Sequence, residues 1–219
     1  MKNRVLLTRS KEANNEIISL LSSCTNIEFI QLNLISYTSL VLDKALFDEY
    51  SNFIITSNYV AKNISTAPKD DIFIWVVGTK SAMILKNKGY KIKFIAPSVD
   101  ILIQNLPKSM FNNMLYLSGD IISKEMPDGI RREIVYKVTY LSSLDKEIIT
   151  KIKEGVNYLT VYSKNCAKTL LNLLVENNLL KYLENTKVIA ISSSVGNILE
   201  PHFKNIIVTD DVTLTLRSI

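Results

Sequence analysis

Small hydroxyl residues and glycines gather at six places in this chain, each directly after a short apolar run. They are Thr8-Arg9-Ser10, Thr56-Ser57-Asn58, Gly78-Thr79-Lys80-Ser81, Ser118-Gly119-Asp120, Ser163-Lys164-Asn165 and Ser192-Ser193-Ser194. Where an apolar strand turns into a helix, the first backbone N–H groups are unpaired and the helix dipole is positive, a combination that holds phosphate or carboxylate. Small side chains let a ligand approach that backbone closely. Thr8, Arg9, Ser57, Asn58, Gly78, Thr79, Ser81, Ser118, Gly119, Ser163, Ser193 and Ser194 are therefore the candidate contacts for an anionic small molecule. Ser, Thr and Asn are also the preferred N-caps of any helix, so one junction alone carries no ligand signal. Six in series point to a lined cleft.

Other chemistries find little support. Gly78-Thr79-Lys80-Ser81 lacks the second glycine that a P-loop places before Lys-Ser, and no G-x-G-x-x-G occurs, so no nucleotide or other cofactor is expected. His202 is the only histidine and stands in Glu200-Pro-His-Phe203, which reads as a surface turn. A zinc site or a Ser-His-Asp triad would have to rest on it, and no metal is expected. Cys24 and Cys166 follow helix-face patterns and read as packing residues, as does Trp75 within a continuous apolar strand.

The elements that carry these junctions alternate along the chain. Strand-like runs are Arg4–Thr8, Ile27–Leu32, Asn52–Thr56, Ile72–Val77, Lys93–Ala96, Met114–Leu117, Glu133–Tyr140, Tyr158–Tyr162, Lys187–Ile191 and Asn205–Val208. Between them apolar residues recur at helical spacing, most clearly over Lys11–Ser22 and Lys164–Asn177. Strand and helix in alternation mean parallel βαβ units, hence an α/β fold. An internal repeat favours two small sheets over one large one. Phe53-Ile-Ile-Thr-Ser-Asn-Tyr-Val-Ala-Lys62 resembles Leu159-Thr-Val-Tyr-Ser-Lys-Asn-Cys-Ala-Lys168, and Val77-Gly-Thr-Lys-Ser-Ala-Met-Ile-Leu85 resembles Ile191-Ser-Ser-Ser-Val-Gly-Asn-Ile-Leu199, in the same order and at similar offsets.

Composition bounds the partners. With 219 residues, 47% hydrophobic and 21% charged, the chain can bury a substantial core and lacks the signature of disorder. No apolar run approaches the roughly 20 residues of a membrane span, and the N-terminus has no secretory pattern. Two cysteines without C-x-x-C fit a reducing compartment, so a soluble, cytoplasmic protein is expected, taken as a monomer with no membrane partner. The net charge of +5 is spread thinly, with no basic block beyond Lys86, Lys88, Lys91 and Lys93. Nucleic acid would call for a concentrated patch and is not expected as a partner; a mild positive field suits a small polyanion better.

The order of the junctions resembles the uroporphyrinogen-III synthase family along essentially the whole chain. Leu6-Leu-Thr-Arg9 is similar to the family's opening Thr-Arg-Pro strand, with Ser10 in place of proline. Phe53-Ile-Ile-Thr-Ser57 and Leu159-Thr-Val-Tyr-Ser163 resemble its two "FTS" strand ends, Val77-Gly78-x-x-Ser81-Ala82 its Val-Gly-x-x-Thr-Ala turn, and Val135-Tyr136 a Val-Tyr pair in the strand returning between the domains. Leu115-Tyr-Leu-Ser-Gly-Asp120 stands where the family has an apolar strand ending in a small residue and glycine. The second Gly-x-x-Thr turn departs most, with Ser192 for the glycine and Val195 for the threonine.

The resemblance implies two similar α/β domains with parallel sheets flanked by helices, joined by a two-stranded linker, with the active site in the cleft between them. Domain one would be residues 1–34 and 142–219, domain two residues 37–138, and the linkers 33–37 and 138–141. It implies cyclisation of hydroxymethylbilane to uroporphyrinogen III, with inversion of the last pyrrole ring and loss of water, in tetrapyrrole biosynthesis. Tyr136 is the best match for the donor to the departing hydroxyl, since a phenol of pKa about 10 stays protonated at neutral pH. Two alternatives remain: a non-catalytic two-domain binder of a small anion, and a degenerate synthase that binds tetrapyrrole without turnover, the latter suggested by Val195.

Overall fold

The computed structural model describes residues 2–64 and 71–219. In chain order the elements are β1 (Asn3–Leu7), α1 (Lys11–Leu20), β2 (Ile27–Gln31), β3 (Ile35–Ser39), α2 (Leu46–Glu49), β4 (Asn52–Ile55), α3 (Asn58–Asn63), β5 (Phe73–Val77), α4 (Thr79–Asn87), β6 (Lys91–Ala96), α5 (Val99–Asn105), β7 (Met114–Gly119) and β8 (Arg131–Tyr140). There follow α6 (Lys146–Lys153), β9 (Tyr158–Val161), α7 (Lys164–Glu176), β10 (Lys187–Ala190), α8 (Ser193–Leu199), β11 (Asn205–Val208) and α9 (Val212–Arg217). Contacts divide the chain into two compact units: the stretch up to Ser36 together with Thr139–Ile219, and Tyr37–Val138.

Each unit is an α/β sandwich whose strands send alternate residues into two cores. In the first, Leu6 joins the core under α6, α7 and α8 with Ile152, Leu170, Leu174 and Leu199, whereas Val5 and Leu7 join Ile17 of α1 and Val212 and Leu216 of α9. In the second, Phe53 and Ile55 pack with α2, α3 and α4, while Ile54 packs with Leu102 of α5 on the other face. Strands covered on both sides read as unbroken apolar runs, and β4 and β7 are buried at every position. The one polar side chain in β4, Asn52, accepts a hydrogen bond from Trp75 Nε1 at 3.1 Å, which satisfies both groups inside the core.

The strand orders are β11-β10-β9-β1-β2 and β3-β8-β7-β4-β5-β6. The internal repeat falls on corresponding pieces, β4-α3-β5-α4 and β9-α7-β10-α8, in each of which the two strands are parallel neighbours. β11 and β6 extend the sheets beyond the repeat's second strand, and the remaining strands lie on the other side of its first strand, β1 and β2 in one unit and β7, β8 and β3 in the other. Each sheet thus has one place where chain order reverses, between β1 and β9 in one unit and between β4 and β7 in the other. In open α/β sheets ligands bind beyond the carboxyl ends of the strands at such a reversal.

All ten strand-like runs form strands, and β3 is an eleventh that the apolar pattern does not mark. Its sequence Ile35-Ser-Tyr-Thr-Ser39 is mostly polar and exposed because it lies at the sheet edge. The chain passes from one unit to the other inside β3 and again inside β8.

Candidate functional site

At the reversal between β4 and β7, the end of β4 leads through Thr56 to Ser57, whose extended backbone starts α3 and whose Oγ accepts from the Tyr59 N–H at 3.1 Å. Tyr136 of β8 reaches the same hydroxyl, its Oη donating to Ser57 Oγ at 3.1 Å. The Tyr136 ring lies over the α-carbon of Gly119, where a methyl group would come within 2.5 Å of the ring. Tyr59 packs against this ring with centroids 4.7 Å apart, and Tyr37 approaches it edge-on at 5.7 Å. Tyr59 is itself fixed by a 2.7 Å hydrogen bond with Ser39.

The neighbouring junctions of this unit carry small residues, of which Asn58 and Thr79 are exposed and Ser81 is buried. Ser81 Oγ donates to Asn58 Oδ1 at 2.6 Å and ties the start of α3 to α4. Gly78 caps α4 with φ +86°, a conformation that L side chains rarely adopt, and space is open where a side chain would stand. Thr79 follows it, exposed. Ser118 is buried like Ser81: its hydroxyl accepts from Arg132 Nε at 2.8 Å and donates to the Gly119 carbonyl at 3.0 Å, so the protein already occupies it.

The other unit repeats the arrangement with different residues. At the β1–β9 reversal the fully buried Thr8 hydroxyl donates to the Thr160 carbonyl and pins the two strands together. Arg9 lies over the Tyr162 ring at 4.7 Å. Burial pushes the Tyr162 phenol up to about 12, with Arg9 drawing it partly back. Ser163 caps the 13-residue α7, its Oγ accepting from the Cys166 N–H at 3.1 Å. Burial raises the Cys166 thiol, which suits a packing residue rather than a nucleophile. Ser193 and Ser194 stand exposed at the start of α8, with Ser194 hydrogen-bonded to Ser192 at 3.1 Å.

Each unit thus carries a polar edge at its chain reversal, and one of the two bears a fixed phenol. The family HEM4, uroporphyrinogen-III synthase HemD, matches residues 30–214. This chain belongs to the uroporphyrinogen-III synthase family. The curated protein RP474 of Rickettsia prowazekii (strain Madrid E), described as uncharacterized, is 32% identical over 94% of this chain and 93% of its own length. The fold is similar to that of uroporphyrinogen-III synthetase from Helicobacter pylori 26695, with 15% identity, a TM-score of 0.61 and coverage of 100% of this chain and 99% of the other. It is also similar to that of a mutant uroporphyrinogen III synthase from the extremely thermophilic bacterium Thermus thermophilus, with 14% identity, a TM-score of 0.57 and coverage of 99% and 96%.

Within this uroporphyrinogen-III synthase family chain the candidates fall into two groups. Ser57, Asn58, Ser81, Gly119 and Tyr136 are linked by direct contact, with Gly78 and Thr79 on the adjoining strand end. Thr8, Arg9, Ser163, Ser193 and Ser194 belong to the other unit. Val195, where the resemblance implies threonine, is 2% exposed within the core, packed there with Leu199 and Ala190. Sequence reasoning passed over Tyr37, Tyr59 and Arg132, because an isolated tyrosine or arginine gives no signal until the sheet sets it beside Tyr136 or β7. It also passed over Asn14, fully buried, whose Oδ1 accepts from the Arg9 N–H at 3.1 Å while its Nδ2 donates to Asn33 Oδ1 at 3.0 Å.

Proposed function

We propose that the protein is a uroporphyrinogen-III synthase, which cyclises hydroxymethylbilane with inversion of the last pyrrole ring. The observation that carries the reading is the Tyr136 hydroxyl, held at the carboxyl edge of β4 in a chain of this family. Departure of the substrate's terminal hydroxyl requires a proton, and a phenol supplies it at neutral pH without a histidine partner. The hydroxyl leaves as water. Inversion further requires that the bond joining the last ring to its bridging carbon break and re-form at the ring's other α-carbon; the proton released when that ring regains its aromaticity returns to the phenolate, so Tyr136 ends as it began. Ser57 Oγ orients the phenol before the substrate arrives. Helix starts free of large side chains, as at Gly78-Thr79, suit the carboxylates of such a substrate, and the edge bearing Arg9 offers groups of the same kind.

Hydroxymethylbilane also closes unaided, without inverting its last ring, so the enzyme must impose a folded geometry as well as a rate. Freshly generated hydroxymethylbilane supplied to the protein should give uroporphyrinogen III. A product containing no more of isomer III than a protein-free control would overturn the activity and leave a tetrapyrrole or anion binder, which equilibrium binding of the product would then reveal.

A further inference from the structure

Tyr136 stands where strand geometry alone would not put it. β7 and β8 run in parallel register from Leu115 opposite Arg131 to Ser118 opposite Ile134, and then the register slips, so that Gly119 faces Tyr136. The slip leaves Val135 as the extra residue of a bulge, its carbonyl accepting from the Leu40 N–H at 2.8 Å. In consequence Val135 and Tyr136, adjacent in sequence, both pack on the core beneath α3 and α4, whereas strict alternation would send them to opposite faces. Re-aiming a side chain is what a bulge beside a functional site does.

One side chain fastens this bulge. The Arg132 guanidinium donates from Nε to Ser118 Oγ at 2.8 Å, and from Nη2 to the Gly119 carbonyl at 2.7 Å and the Asp120 carbonyl at 3.0 Å. These are three successive residues, and the middle one is the glycine on which the Tyr136 ring rests. Asp120 completes the fastening from the other side. Its N–H donates to the Tyr136 carbonyl at 3.0 Å and its Oδ1 accepts from the Val138 N–H at 2.9 Å. The planar fork of an arginine can meet three acceptors in this way; the single ammonium of a lysine cannot hold the same plane. The ion pair of Arg132 with Glu125 is long, 3.7 Å, and Glu125 is largely exposed, so charge pairing does not account for the arginine.

We propose that Arg132 is a positioning residue, locking the β7–β8 bulge so that the Tyr136 phenol points at Ser57 and the carboxyl edge of β4. The inference rests on Tyr136 as the proton donor, and its test separates the two. Arg132→Lys should keep KM for hydroxymethylbilane within about twofold and lower kcat by about 10- to 100-fold, the range set by misplacing a reacting group by up to an ångström. The Tm should fall by no more than about 2–4 °C. In the Tyr136→Phe background Arg132→Lys should lower the rate no further, because the arginine acts through the phenol. Glu125→Gln, which spares the fork, should match wild type in all of these.

A readout independent of turnover comes from ring resonances in protein carrying isotope-labelled tyrosine. Those of Tyr136, assigned by their loss in Tyr136→Phe, should shift in Arg132→Lys and stay in place in Glu125→Gln. Unchanged Tyr136 resonances in Arg132→Lys, or an equal fractional loss of rate with and without the Tyr136 hydroxyl, would overturn the positioning role. If the wild-type protein forms no isomer III, the synthase reading falls, and the ring resonances still decide whether Arg132 sets Tyr136.

Discussion

Tyr136 and Gly119 form one device at the scale of single residues. Tyr136→Phe removes the donor and keeps the ring that packs with Tyr37 and Tyr59. The lost hydrogen bond to Ser57 should cost about 0.5–1.5 kcal/mol of stability, while isomer III formation should fall by about 10²–10⁴-fold, the usual worth of a general acid. Wild-type turnover in this variant, measured with fresh substrate, would reduce Tyr136 to a packing residue. Gly119→Ala tests the same geometry from the other side. Its backbone is not left-handed, so the objection to a side chain is the ring 2.5 Å away. Forcing that ring aside should lower stability by about 1–3 kcal/mol and reduce turnover together with it. A Gly119→Ala protein with native Tm and native rate would show that the ring moves at no cost.

At the start of α8, where the resemblance implies threonine, Val195 serves the packing of the fold. Val195 lies under the turn in the core, and the α-carbon of Gly196 faces Ile206 and Val208 of β11, where a methyl would sit 3.4 and 3.5 Å from their methyl groups. This side of the helix is therefore a packing face. The hydroxyls of Ser193 and Ser194 occupy the exposed side. Val195→Thr places a hydroxyl in that core and should destabilise the protein by about 1–3 kcal/mol in urea unfolding, with no gain in turnover. A more active and equally stable Val195→Thr protein would mean instead that the helix start turns this position toward a ligand.

For the whole molecule the clearest electrostatic consequence lies at high pH. Burial pushes the Tyr162 phenol up to about 12 in the folded protein, against about 10 when unfolded, and raises the Tyr116 phenol as well. A group whose folded pKa is raised contributes stability that is complete below the unfolded value and is lost as pH climbs through the folded one. Stability should therefore be independent of these phenols up to about pH 10, and the Tyr162 contribution, about 2–3 kcal/mol, should be lost between about pH 10 and 12. Urea unfolding of wild type and Tyr162→Phe at several pH values across that window checks this, the variant showing the shallower decline. Identical slopes would place the alkaline sensitivity elsewhere.

Much of this protein was legible in its sequence because the relevant forces are local. A strand buried on both faces must be apolar throughout, which marks β4 and β7, and helix starts need small polar caps, which marks Ser57 and Ser163 as the first turns of α3 and α7. Likeness between β4-α3-β5-α4 and β9-α7-β10-α8 was visible for the same reason, each being a contiguous piece of chain. Adjacency between distant pieces was not. β1 lies against β9 some 150 residues later, and Thr8 meets Thr160 only because burying both sheet faces selects that order. β3, polar and at an edge, is a strand by virtue of its partner rather than its composition. The direction of Tyr136 is the plainest case. Alternation along β8 predicts opposite faces for Val135 and Tyr136, and the register slip opposite Gly119, fastened by Arg132, turns both to one core. Hydrogen bonds across residues far apart in the chain decide that, and no local pattern encodes them.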